Sequence, residues 1–165
     1  MYKKGDYIVY GSDGPCLVYD VTKLNIPGCD RHRKYYVLHP VISDKSVIYC
    51  PVDNQKVKIR DILSSDEAKE VLSGISALPE MKIDNEKFRE ERYREVLCNT
   101  DFSDWIRMIK MLVIRRQRRV DEGRKFTSID EKYLRELGEI VTCELSLALG
   151  EDHDTTEEML RSLVS

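Results

Sequence analysis

With 165 residues the chain is long enough for one domain or two small ones. Its apolar fraction of 41% is ordinary for a globular protein, and no apolar run approaches the ~20 residues of a membrane span. The net charge of −3 excludes a strong global field toward nucleic acid, so any such contact must come from local charge.

Short β-branched and aromatic runs bounded by Gly, Pro, Asp or Asn predict strands over 7–10, 15–22, 34–40, 46–51 and 57–60. Ser12-Asp13-Gly14-Pro15 and Asn25-Ile26-Pro27-Gly28 carry turn chemistry between them. Strands in direct succession should be antiparallel, and so many in about sixty residues make a small, strongly bent sheet or barrel. From Ser64 onward the pattern is helical. Ser64 with Glu67 forms a capping box, after which Ala68, Val71, Leu72 and Ile75 share one face. Residues 76–84, with Pro79, read as a linker.

A second helix is predicted from about Asn85 to Cys98, with a thin apolar face of Phe88, Tyr93, Val96 and Leu97. The third starts at Asp101 and has the strongest period, through Phe102, Trp105, Ile106, Ile109, Leu112 and Val113. That phase assigns Trp105 to the core. Gly123 ends this helix, and Ser128 with Glu131 reads as another capping box. Leu134, Leu137, Val141, Leu145 and Ala148 carry a fourth helix to Gly150, and a fifth spans roughly Thr155 to Leu163.

Catalytic chemistry finds no constellation here. The three histidines, His32, His39 and His153, are scattered, and none pairs with a Cys at ligand spacing, so no metal and no cofactor is expected. His39 reads as a half-buried sheet residue. The five cysteines, Cys16, Cys29, Cys50, Cys98 and Cys143, include no C-x-x-C pair, and Met1-Tyr2-Lys3-Lys4 does not open a signal peptide. Reduced thiols in a cytoplasmic protein fit this pattern. There is no nucleophile elbow, phosphate-binding Gly loop or dinucleotide fingerprint, so neither an enzyme nor a small-molecule substrate is expected.

Charge is unevenly distributed. Residues 101–125 carry a basic block that includes Arg115, Arg116, Arg118, Arg119 and Lys125, whereas the tail from Glu151 is acidic. On a helix Arg115, Arg118 and Arg119 share one face, with Arg116 turned aside. The block can contact phosphates, or it can complement a helix C-terminus.

Gly5-Asp6-Tyr7-Ile8-Val9-Tyr10, Gly14, Gly28, Tyr36-Val37-Leu38, Pro51-Val52-Asp53-Asn54, Arg60 and Ser64-Ser65-Asp66-Glu67-Ala68 resemble the CarD-type bacterial transcription regulators. Their first part resembles the RNA polymerase-interacting domain that CarD proteins share with the transcription-repair coupling factor. The helical half fits more loosely, through Gly123, Ser128, Glu131-Lys132, Leu134 and 143–148. The resemblance implies an α+β protein: a small Tudor-like antiparallel β-barrel over 1–62, then an all-α bundle of about five helices over 64–165. It implies docking on the RNA polymerase β subunit and an approach to upstream promoter DNA that modulates open-complex stability.

In the family a tryptophan early in the second helix acts as a minor-groove wedge. That position aligns with Glu86, and the polymerase-contacting arginines align near Leu24 and Tyr49. Docking is therefore assigned to sheet-edge pairing with apolar contacts from Leu24, Ile26 and Tyr49. DNA contact is assigned to Arg89, Arg92, Arg115, Arg118, Arg119 and Lys125, of which Arg89 matches a basic position of the family and the others rest on charge. The alternative is a polymerase-bound adaptor whose helical part no longer touches DNA, which Glu86 and the acidic tail favour.

Overall fold

The computed structural model describes all residues, 1–165. Five strands come first: β1 (Tyr7–Tyr10), β2 (Gly14–Lys23), β3 (Lys34–Pro40), β4 (Ile48–Pro51) and β5 (Ile59–Asp61). Five α-helices follow: α1 (Ser65–Gly74), α2 (Arg89–Asn99), α3 (Phe102–Asp121), α4 (Ser128–Leu149) and α5 (His153–Val164). The α+β expectation holds, and every strand pair is antiparallel.

The sheet has the order β4-β3-β2-β1-β5 and does not close into a barrel. Its edge strands, β4 of 4 residues and β5 of 3, are short, and no register joins them. One face gathers Ile8, Cys16, Val18, Tyr36, Leu38 and Cys50 into a small core. Alternation turns Val9 to the opposite face, where it joins the core of the helices. The register slips between Val18 and Asp20, leaving Tyr19 as the extra residue of a bulge.

α4 is the spine of the molecule, since α1, α2, α3, α5 and β2 all pack on it. Gly14 makes the contact with β2 possible. A Cβ there would lie 3.1 Å from the Ile140 side chain, and its φ of +74° suits glycine alone. Trp105 is fully buried, as its phase requires, and its indole N–H donates to the Val96 carbonyl at 3.0 Å.

Arg60 of β5 crosses to the helices. It forms two hydrogen bonds to Glu144, at 2.6 and 2.9 Å, and its guanidinium lies 5.3 Å from the Trp105 ring centroid. Glu144 is fully buried and also accepts from the Leu63 N–H at 3.0 Å.

Local signals set most helix ends. Ser64 and Glu67 form the expected capping box. Asp101 caps α3 through the Asp104 N–H, and Gly150 ends α4 in the left-handed region. Two ends differ from the sequence reading. α4 is capped by Thr127, whose hydroxyl accepts from the Asp130 N–H, so Ser128 is the first helical residue. α2 begins only at Arg89, because Asn85 caps a separate 3₁₀ turn over Glu86–Phe88. Phe88 therefore falls outside the apolar face assigned to it and is 54% exposed.

Candidate docking and nucleic-acid surfaces

β4 is an edge strand whose outer side meets no other strand. Ile48 and Cys50 turn toward the small core, and alternation leaves Tyr49 outward, 43% exposed. Leu24 and Ile26 follow the end of β2 at Lys23, which pairs with Lys34. Tyr35, the next residue on β3, pairs with Pro51 of β4. The loop bearing Leu24 and Ile26 thus leaves the sheet at the same end as Pro51, near Tyr49. Ile26 is 37% exposed, while Leu24 is half-buried. The Arg33 guanidinium pairs with Asp53 across this end and holds that carboxyl below the usual aspartate range.

The outward face extends further than the sequence reading placed it. Tyr7 and His39 both lie opposite Leu17, and Val37 lies opposite Tyr49. The bulged Tyr19 is the most exposed aromatic of the sheet, at 52%, and it stacks on His39 with ring centroids 4.4 Å apart. Lys4 approaches the same Tyr19 ring. Alternation from Leu17 already turns Tyr19 outward; the bulge shifts the phase beyond it, so that Val21 rather than Asp20 returns to the small core.

Among the cations, the structure divides the six candidates. Arg115 is locked in a bidentate pair with Glu86, one arm of which is 3.0 Å long. It also lies 3.9 Å from Asp130, which is 3% exposed. Arg89 reaches the same Asp130 at 3.2 Å, and the Tyr93 hydroxyl donates to it at 2.8 Å. Burial and the neighbouring carboxylate raise the Tyr93 phenol well above its usual range. The hydrogen bonds from Arg115 lower the Glu86 carboxyl below its ordinary value.

This cluster ties the start of α2 to α3 and α4. Of the residues assigned to DNA, Arg89 and Arg115 thus each have a guanidinium that already serves a carboxylate. Arg92 pairs with Glu95 at 3.3 Å on the exposed side of α2. Arg118, Arg119 and Lys125 have no carboxylate within 4.0 Å and cluster at the C-terminal end of α3.

Glu86 faces Arg115 and offers no apolar surface, but two residues later Phe88 projects from the turn before α2, with the Lys87 ammonium 5.7 Å from its ring centroid. Trp105 lies inside the core and is not a substitute.

Residues 2–63 match the family model described as the CarD-like/TRCF RID domain. This part of the chain is similar to the RNA polymerase-interacting domain of CarD-like proteins, and the match does not extend into the helices. The match ends where β5 gives way to α1, so the RID domain contains the whole sheet and Tyr49, Leu24 and Ile26 lie within it. No curated protein matches the chain significantly. No helix is long and apolar enough to cross a membrane.

Proposed function

We propose that this protein is a bacterial transcription regulator that docks on the RNA polymerase β subunit through its RID domain and brings its helices to upstream promoter DNA. The two working units are residues 1–62 and 64–165, and the setting is the cytoplasm. The observation that carries this reading is an unpaired β4 edge with an outward Tyr49, inside a domain of a polymerase-interacting family. An edge strand can gain affinity from backbone hydrogen bonds to a strand of the partner, with side chains such as Tyr49 and Ile26 setting specificity.

The DNA-facing part of the proposal rests on Arg118, Arg119 and Lys125, the cations without carboxylate partners, and on the exposed Phe88. An apolar ring can wedge at an unstacked base step while nearby cations hold the phosphates. The physical role of Arg89 and Arg115 is the salt-bridged cluster that supports the turn bearing Phe88.

The test of docking is retention of the purified β subunit by the full-length protein. Wild type should retain it and Tyr49→Glu should not. Loss of retention by wild type itself would overturn the docking proposal.

A second reading, a polymerase-bound adaptor without DNA contact, is favoured by the Glu86–Arg115 and Arg89–Asp130 pairs, which neutralise two cations of the helical part. Binding to a forked promoter fragment separates the two. A DNA-contacting regulator binds with an affinity that falls steeply with salt through counterion release, and substituting Arg118, Arg119 and Lys125 lowers that slope. An adaptor shows no binding to lose.

A further inference from the structure

Between α3, α4 and α5 lies an open groove of about 250 Å³, remote in the chain from the RID domain. Its floor is apolar, formed by Ile109, Val113, Leu134, Leu160 and Val164. Along α4 the residues facing it recur at helical spacing: Arg135, Gly138 and Thr142. Gly138 stands in mid-helix, where glycine costs about 1 kcal/mol relative to alanine. An added Cβ there would meet nothing within 4 Å, so the missing side chain leaves space rather than relieving a clash.

Thr142 gives the groove a polar group. It is only 2% exposed and lines the groove, and its hydroxyl is not sealed off as Thr100 Oγ1 is but opens onto the groove. Its sequence neighbours on the same and next helix behave differently: Ser146 and Thr156 both satisfy their hydroxyls on backbone carbonyls. The other end of the groove is cationic. Arg116 and Arg135 have no carboxylate within 4.0 Å, and the hairpin formed by α3 and α4 brings them to one end. Of the acidic residues at the mouth, Glu157 is paired with Arg161 at 3.2 Å, which leaves Glu139 as the opposing charge.

We infer that this groove binds a small amphipathic carboxylate, with its anionic head on Arg116 and Arg135, its apolar body over Gly138 and a polar far end at Thr142. Seven residues of helix separate Arg135 from Thr142, which at 1.5 Å per residue spans roughly 10 Å. The cavity is smaller than the ~300–1,000 Å³ of drug-sized ligand pockets, so the ligand is a single short chain or ring. The inference is independent of polymerase docking.

The probe is ω-hydroxyoctanoate, titrated into the full-length protein by calorimetry with octanol as the uncharged comparison. Wild type should bind it saturably and bind octanol more weakly. Arg135→Ala should weaken the hydroxy acid about tenfold, as loss of a charge-assisted hydrogen bond predicts. Thr142→Val, which removes the hydroxyl at nearly constant shape, should weaken it several-fold. Gly138→Leu, which fills the groove on a helix made more stable by the change, should abolish binding with an unaltered far-ultraviolet dichroism spectrum. Absence of saturable binding by wild type overturns the inference, as does undiminished binding by both Gly138→Leu and Arg135→Ala.

Discussion

At the scale of single residues, the most consequential side chains are charged ones placed where charge is expensive. Glu144 is fully buried, and it is tolerated because the Arg60 fork serves both of its oxygens and the Leu63 N–H adds a second bond to Oε1. Removing the cation while leaving the carboxylate should therefore cost far more than a surface pair does. Arg60→Ala is expected to lower stability by about 3–5 kcal/mol, read from urea unfolding. A loss below 1 kcal/mol would mean that water already reaches Glu144. Glu86 presents the opposite case. Its side chain is 62% exposed, so its pair with Arg115 contributes no more than about 1 kcal/mol. Its folded carboxyl is lowered from the ordinary value of 4.5, so the contribution is present above that value and is lost as pH falls through the depressed one. The stability gap between wild type and Glu86→Gln should be level near neutrality and close in acid. A gap that widens on acidification would contradict the assigned pair.

At the scale of elements, the helices are placed by caps and by phase. Ser64 with Glu67 acts as the sequence indicates, and α3 begins where the sequence places it because Asp101 takes the Asp104 N–H, a cap being a contact over three residues of chain. The start of α4 shows how close alternatives compete. Thr127 and Ser128 are both able to cap, and the Thr127 hydroxyl takes the Asp130 N–H, which also fixes Asp130 beneath Arg89 and Arg115. Thr127→Ala should cost about 1 kcal/mol in thermal or urea unfolding, and Ser128→Ala close to nothing. Equal losses would return the cap to Ser128. Among the strands, alternation correctly separates Ile48 and Cys50 from Tyr49 and turns Tyr19 outward onto His39, but it misses the bulge that returns Val21 rather than Asp20 to the small core. Likewise the 3₁₀ turn before α2 takes Phe88 out of the apolar face that a continuous helix would have given it.

At the scale of the whole molecule, sheet and helices share one packed interface. Val9 belongs to the helical core, Gly14 sits against Ile140, and Arg60 spans to Glu144. Burying these groups requires both parts to be folded together, so unfolding should be cooperative. Urea transitions followed by Trp105 fluorescence, which reports the helices, and by hydrogen exchange of β3 amides should have one midpoint. Two separated midpoints would mean that the interface contributes little and that the orientation of the RID domain is free. A shared unfolding unit gives the proposed function a geometric basis: a polymerase-bound sheet would carry the Phe88 turn and the C-terminal end of α3 in a defined direction.

The sequence by itself determined the order of strands and helices, their antiparallel pairing, the capping box at Ser64, the start of α3 at Asp101, the burial of Trp105 and, for residues 2–63, the resemblance that the RID match bears out. These depend on period, turn chemistry and contacts over a few residues, all of which are written along the chain. Only the tertiary structure decided which arginines are spent internally. Arg115 and Glu86 lie 29 residues apart, Arg89 and Asp130 41, and Arg60 and Glu144 84. A basic run looks the same in sequence whether its charges face solvent or a buried carboxylate, because charge has no period and its partner is chosen by the packing of helices. The open sheet, the phase shift beyond Tyr19 and the groove over Gly138 were decided in the same way, by how elements meet rather than by what each contains.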